Sequence, residues 1–327
     1  MQPPTNVQSC MNETKPARVA PVALPVALIC MAFLAVGCGT LQHDPISGRQ
    51  VRNMYVIDQE IELGRGVVQN AVEEFQQQGI PINQDLATLQ VLSNMMHRIA
   101  AVSHFPELPY SVTLVHSDVV NAACAPGGQL IFWEGLYHPE QGLVKNENEL
   151  AAVMAHEIAH ATARHTTRTL TREAPIQIGL LLGMLAAELA DKEDLAIGLG
   201  VAFVVYQGIW LPRYSRRDEF EADRLGLFYM ADAGYDPRAA SAIWQRAWQR
   251  QGDPGLERFL ASHPSHRDRH HQLERLMPQA LERYYASINQ SSPLAARPDA
   301  LPSSATTEST AAQMPATVGS HGRAVQR

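Results

Sequence analysis

The stretch that most constrains this chain is Leu150 to His165, LAAVMAHEIAHATARH. At its centre stands His156-Glu157-Ile158-Ala159-His160, among residues that favour a helix. On an α-helix, positions i and i+4 lie one above the other on the same face. His156 and His160 can therefore offer two imidazole nitrogens to one zinc ion. Glu157, about 100° further round, can reach a water there without binding the metal itself. That arrangement suits hydrolysis, with the metal as Lewis acid and the carboxylate taking and returning the proton. Asn146 with Glu149 three residues on fits a helix start, and Leu150, Val153, Met154 and Ile158 form an apolar stripe. An ordinary helix with two incidental histidines would carry the same letters, so the rest of the chain has to decide.

A tetrahedral catalytic zinc takes three protein ligands and keeps its fourth position for water. Arg216 to Gly226, RRDEFEADRLG, reads as a second helix with Glu219 and Asp223 at i and i+4. Glu219 is the candidate third ligand, and Asp223, one turn on, the acceptor that holds a ligand imidazole. Glu221, about 200° round from Glu219, should face away. A solvated acidic face is the competing reading. His263, His266, His270 and His271 crowd the start of the last expected helix, where they either bind metal or are simply solvated. A metzincin's third histidine would fall at Thr166, so that arrangement fails.

The fold class expected is α+β: a mostly helical domain over residues 58–285 with a small β-sheet beside the metal helix. Helices are expected at Asp58–Gln78, at Asp85–Val102 with Leu86, Leu89, Leu92, Met96 and Ile99 inward, and at Tyr235–Gln251. In the last, Ala240, Ile243, Trp244 and Trp248 face the core. Tyr110–His116 and Gln129–Trp133 read as strands of a hairpin joined through the Gly-rich stretch Asn121–Gly128. Its edge would either pair with an extended substrate or only close the core. Ile176–Ala187 and Leu195–Leu211 are apolar, but five charges between them rule out a single span. They form a helical hairpin that packs on the domain or touches a membrane.

At the N-terminus, Lys15 and Arg18 precede an uncharged apolar run that ends Ala35-Val36-Gly37-Cys38. This describes a secretory signal over residues 1–37, and the cysteine resembles the lipidated residue of a bacterial lipobox. An uncleaved anchor helix is the alternative, weakened by Pro21 and Pro25. Residues 38–57 then serve as lipidated N-terminus and polar linker, and residues 286–327, rich in Ser, Thr, Ala and Pro, as a disordered tail. With Cys38 lipidated, Cys124 has no intramolecular partner, which excludes a disulfide framework. The net charge of −7 and the lack of a basic run argue against a nucleic-acid partner.

HEIAH, EFEAD and SHPSHRDR, in that order, resemble metallopeptidase family 48, the HtpX, CAAX prenyl endopeptidase and BepA type. The family's E-x-x-A-D is matched by Glu219, Ala222 and Asp223, and its N-A-x(3)-P-G-G by Asn121, Ala122, Pro126, Gly127 and Gly128. Its T-H-P-x(4)-R is matched by His263, Pro264 and Arg269, with Ser262 in place of Thr. The likeness runs from about Asp58 to Leu276. It implies a gluzincin-type zinc endopeptidase holding one Zn2+ per chain, with Glu219 as third ligand. It further implies that Arg269 lies near the active site, helping to hold the transition state. Glu157, Asp223 and Arg269 would form the catalytic set, and Asn121, Pro126, Gly127 and Gly128 would border the substrate-edge strand. His263 could take the metal's open position and hold the enzyme latent, or simply cap the last helix. The layout is most similar to the family's short periplasmic lipoprotein members. That implies a lipid-anchored protein, in the periplasm at the outer membrane, acting on misfolded or outer-membrane polypeptides or their assembly machinery. An outer-membrane assembly factor or chaperone with latent proteolysis is the rival reading.

Overall fold

The computed structural model describes residues 40–290, apart from 45, 47, 191, 210–213 and 264–266. The signal segment, Cys38, Leu211, Pro264, His266 and the chain after residue 290 lie outside the described residues. Strands β1 (Thr40–His43) and β2 (Gln50–Asn53) lead into helices α1 (Ile57–Gln77) and α2 (Leu86–Ala100). Strands β3 (Ser111–Val115), β4 (Ala122–Ala125) and β5 (Gln129–Trp133) follow. Then come helices α3 (Glu147–Thr162), α4 (His165–Leu189), α5 (Glu193–Ile209) and α6 (Arg216–Asp232). Last are α7 (Arg238–Gln249), the short α8 (Glu257–Ser262) and α9 (Arg267–Gln290). The class is α+β and mostly helical, as the sequence indicates.

Helix α3 occupies the centre. From Glu149 to Thr162 every residue is buried, so it must be surrounded rather than laid on a surface. Helix α6 is its main neighbour, with α2, α7 and β4 completing the cage. Asn146 caps α3 by accepting from the Glu149 amide at 3.0 Å. The Glu149 carboxylate accepts from the Lys145 amide, and also takes a fork of bonds from Arg246 of α7 at 2.8 and 2.9 Å. Gly226 lets α6 approach α3 to backbone contact: a Cβ there would meet the His156 nitrogen at 2.9 Å and Ala155 carbon at 3.0 Å. That closeness lets side chains of the two motif helices meet.

The helix ends earlier than its sequence pattern suggests. Arg164 adopts a left-handed conformation, φ 57°, and His165 opens α4. Non-glycine residues rarely take this shape. Here the Arg164 side chain donates to Glu60 at 2.7 Å, to Gln42 and to the Tyr55 carbonyl.

The sheet differs from a simple hairpin. Its order is β3-β5-β4, with β3 parallel to β5 and β4 antiparallel to it. The hairpin partner of Gln129–Trp133 is therefore Ala122–Ala125, whose small side chains carry no strand signal. Pro126, Gly127 and Gly128 are buried in the turn between β4 and β5, underneath α1. A Cβ on Gly64 would collide with the Pro126 carbonyl, and Gly127 needs φ 72°. The Pro-Gly-Gly stretch thus serves packing, and β4 itself is the edge strand beside α3.

Two further expectations are corrected. The polar stretch 42–53 is not a loose linker: it forms the β1–β2 hairpin, and Asn53 donates to Thr167 of α4 at 2.9 Å and to Glu60 of α1 at 3.2 Å. Leu86 and Trp248 stay exposed, because each lies off its helix's core face. Helices α4 and α5 pack on each other, and α5 has no comparable partner elsewhere among the described residues.

Gly226→Ala tests the close helix contact. Forcing a methyl group between two backbones costs roughly 1–3 kcal/mol. Thermal melts should show a lower Tm, and the separated helices should bind zinc more weakly. An unchanged Tm and affinity would show that α6 can move away freely.

Candidate metal centre

His156 and His160 project from α3, Glu219 from the first turn of α6, and His263 from the end of α8. One ligand atom from each falls within 4.8 Å of all the others, and all four residues are buried. Nε2 of His156 and Nε2 of His160 are 3.0 Å apart. Each lies 3.5 Å from a Glu219 carboxylate oxygen. Nδ1 of His263 is 3.3 Å from both His156 Nε2 and Glu219 Oε1.

Behind each imidazole stands a second layer. Asp223 Oδ1 lies 3.2 Å from Nδ1 of His156. Arg269 donates to both Asp223 oxygens at 2.7 and 2.6 Å, and its Nη1 lies 2.6 Å from Glu219 Oε2. Its guanidinium also sits 3.5 Å over the Trp244 ring. Arg269 is wholly buried, with both carboxylates as its partners and its Nη2 3.5 Å from His156 Nε2.

His160 is backed by His165, whose Nδ1 lies 2.9 Å from Nδ1 of His160. Nε2 of His165 is 3.2 Å from Glu221, which in turn meets Arg168 at 3.5 Å. Glu221 does face away from the cluster, yet it anchors this chain of contacts. The His165 bond holds the Glu221 carboxyl down at about 2. Tyr214 stacks on His160 with ring centroids 3.8 Å apart, its hydroxyl paired with Thr166. His165 and Tyr214 have no motif signal.

The donor set fits a metal ion. The outer partners draw the proton of each neutral ring towards Nδ1, which leaves the two Nε2 lone pairs facing each other at 3.0 Å. Only a cation between them, zinc or a proton, makes that arrangement favourable. Burial pushes the His156 imidazolium down, but Asp223 and Glu219 outweigh it and raise its pKa to about 9. Burial and the neighbouring His156 charge push His160 well down, so it stays neutral. Burial pushes Glu219 up, but Arg269 and His263 reverse this and keep it ionised. Glu157 is buried beside the cluster with no hydrogen bond to either carboxylate oxygen, and Nε2 of His263 lies 3.3 Å from its Oε1. Burial raises its pKa.

A hydrolytic zinc centre of the gluzincin type is what this fold and donor set define. The profile of peptidase family M48 matches residues 87–277. The mitochondrial metalloendopeptidase OMA1 of Schizosaccharomyces pombe is 31% identical over 73% of this chain and 67% of its own length. The putative beta-barrel assembly-enhancing protease of Vibrio cholerae is 30% identical over 69% of this chain, but only 45% of its own length. Its Escherichia coli counterpart is 26% identical over 80% of this chain and 53% of itself. The chain belongs to peptidase family M48. It is thus a zinc metalloendopeptidase.

The raised pKa of His156 has a consequence for loading. Below about pH 9 the free site carries a proton that zinc must displace, so apparent affinity falls as pH drops, by about tenfold per unit. Calorimetry in buffers of different ionisation enthalpy should show about one proton released per zinc near pH 7. Zinc binding without proton release would contradict the charge assignment.

Proposed function

We propose that this chain is a lipid-anchored endopeptidase of the periplasm that cleaves misfolded or outer-membrane polypeptides. His156, His160 and Glu219 hold the zinc, and Glu157 carries the proton. The observation that carries this reading is the buried Glu157 carboxylate, left without a hydrogen bond beside a cluster of four metal-type donors. Zinc, when bound, supplies Lewis acidity that makes a water more acidic and a carbonyl more electrophilic. Glu157 takes the proton from the attacking water and passes it to the departing amine. Its raised pKa, caused by burial, suits a group that must both accept and return a proton. Asp223 and Arg269 keep His156 and Glu219 in register, and an extended substrate pairs with the β4 edge next to Asn121.

His263 holds the resting site closed. Its ring spans the cluster, with Nδ1 towards Glu219 and Nε2 towards Glu157, both at 3.3 Å. A water and a substrate carbonyl need that same space. The lipobox-like Ala35-Val36-Gly37-Cys38 supports placement at a bacterial envelope membrane, as do relatives named beta-barrel assembly-enhancing proteases. Other relatives are named as mitochondrial enzymes, so the N-terminal sequence carries the choice of compartment.

Two variants test the assignment through zinc content and casein cleavage. Glu157→Gln should keep its zinc and lose activity by a factor of about 10²–10⁴, the usual weight of general acid–base catalysis. His263→Ala should keep its zinc and cleave faster than the wild type. Full activity in Glu157→Gln would remove it as the proton carrier, and slower cleavage by His263→Ala would end the latency reading.

A further inference from the structure

Most of the large apolar side chains left exposed among the described residues lie on the α4–α5 hairpin or on and just after the β1–β2 hairpin. Ile176, Leu181, Leu185 and Leu189 stand out from α4, and Leu195 and Ile197 from α5, each 45–58% exposed. Leu41, Met54 and Val56 are exposed on and just after the β1–β2 hairpin. An exposed apolar patch of this kind marks a surface that something covers.

The chain itself indicates what covers it. Thr40 pairs with Asn53, and the Met54 amide donates to Thr171 of α4 at 2.9 Å, five residues before Ile176. Thr171 also donates to the Asn53 side chain at 3.3 Å. Cys38 is two residues upstream of Thr40, a backbone reach of at most about 7 Å. An acyl chain on Cys38 therefore enters its bilayer beside the root of the apolar hairpin. A second copy or a client chain on this patch would have to displace that bilayer.

We infer that the α4–α5 hairpin rests its apolar flank in the interface of the membrane that holds the Cys38 lipid. This rests on the lipid-anchor reading above. Neither helix spans: no helix among the described residues is long and apolar enough to cross a membrane. Residues 174–187 of α4 carry no charge and extend about 21 Å, short of a bilayer crossing. The hairpin tip bears Glu188, Lys192, Glu193 and Asp194, which stay in water, so the flank enters and the tip does not. A lipid anchor alone limits distance. A second apolar contact also fixes orientation, holding the zinc cleft at one angle to the membrane.

The test uses the Cys38→Ala chain, which cannot be acylated there, and vesicles of phosphatidylethanolamine and phosphatidylglycerol. The unacylated protein should sediment with vesicles, and high salt should not release it, because apolar area drives the contact. Leu181→Glu with Leu185→Glu should cut the bound fraction by roughly tenfold or more while casein cleavage in solution stays unchanged. No vesicle binding by the Cys38→Ala chain would overturn the inference, as would equal binding by the glutamate variant. So would a dimer, seen by sedimentation without vesicles, that the glutamate pair dissociates. Mass spectrometry of the wild-type N-terminus separates the two readings. An unmodified Cys38 together with hairpin-dependent binding would remove the lipid anchor and still support the membrane surface.

Discussion

The backbone contact between α3 and α6 at Gly226 is the constraint on which the site depends. It brings a helix with two histidines and a glutamate against a helix with a glutamate and an aspartate, inside a core that excludes water. Glu157, Glu219 and Asp223 are all buried there. Burying a charge without a partner costs several kcal/mol, so such a cluster survives only if every charge is answered. Arg269 answers two of them, lying against both carboxylates of α6 with Trp244 beneath it. Glu157 is the exception, held close to His263 and not hydrogen-bonded. A buried carboxylate of this kind suits the proton-carrying role proposed for Glu157.

The chemistry was more legible than the architecture. The spacing of His156, Glu157 and His160 sets three side chains on one helix by geometry alone, and a third ligand had to come from another element. Glu219 and Asp223 stood at helical spacing in a charged stretch, which is why they could be singled out. The sheet was harder. Ala122–Ala125 has neither alternation nor β-branched residues, and its strand form comes from pairing with β5 under α1. The break at Arg164 lacks a glycine and is held by contacts to Glu60, Gln42 and Tyr55, far away in sequence. His165 was hidden by that break, because an uninterrupted helix would not point it at His160. The β1–β2 hairpin is illegible for a related reason: it docks through buried polar side chains, to which hydropathy is blind.

The apolar hairpin and the zinc centre meet in α4. His165 at its start supports a ligand histidine, and its later turns carry the exposed leucines. The first feature belongs to the zinc centre, and the second to the membrane surface inferred above. Apolar exposure on this scale sits poorly with a monomer free in solution. On the membrane-surface proposal, the two ends of one helix link the orientation of the molecule to the site that cuts.

X-ray absorption at the zinc edge of the purified protein tests the central claim most directly. The account requires a shell of nitrogen and oxygen only, with the multiple-scattering signature of at least two imidazoles and a Zn–N distance near 2.0–2.1 Å. A sulfur scatterer at about 2.3 Å would implicate Cys124 and contradict the ligand set. A zinc edge without imidazole scattering would contradict it equally.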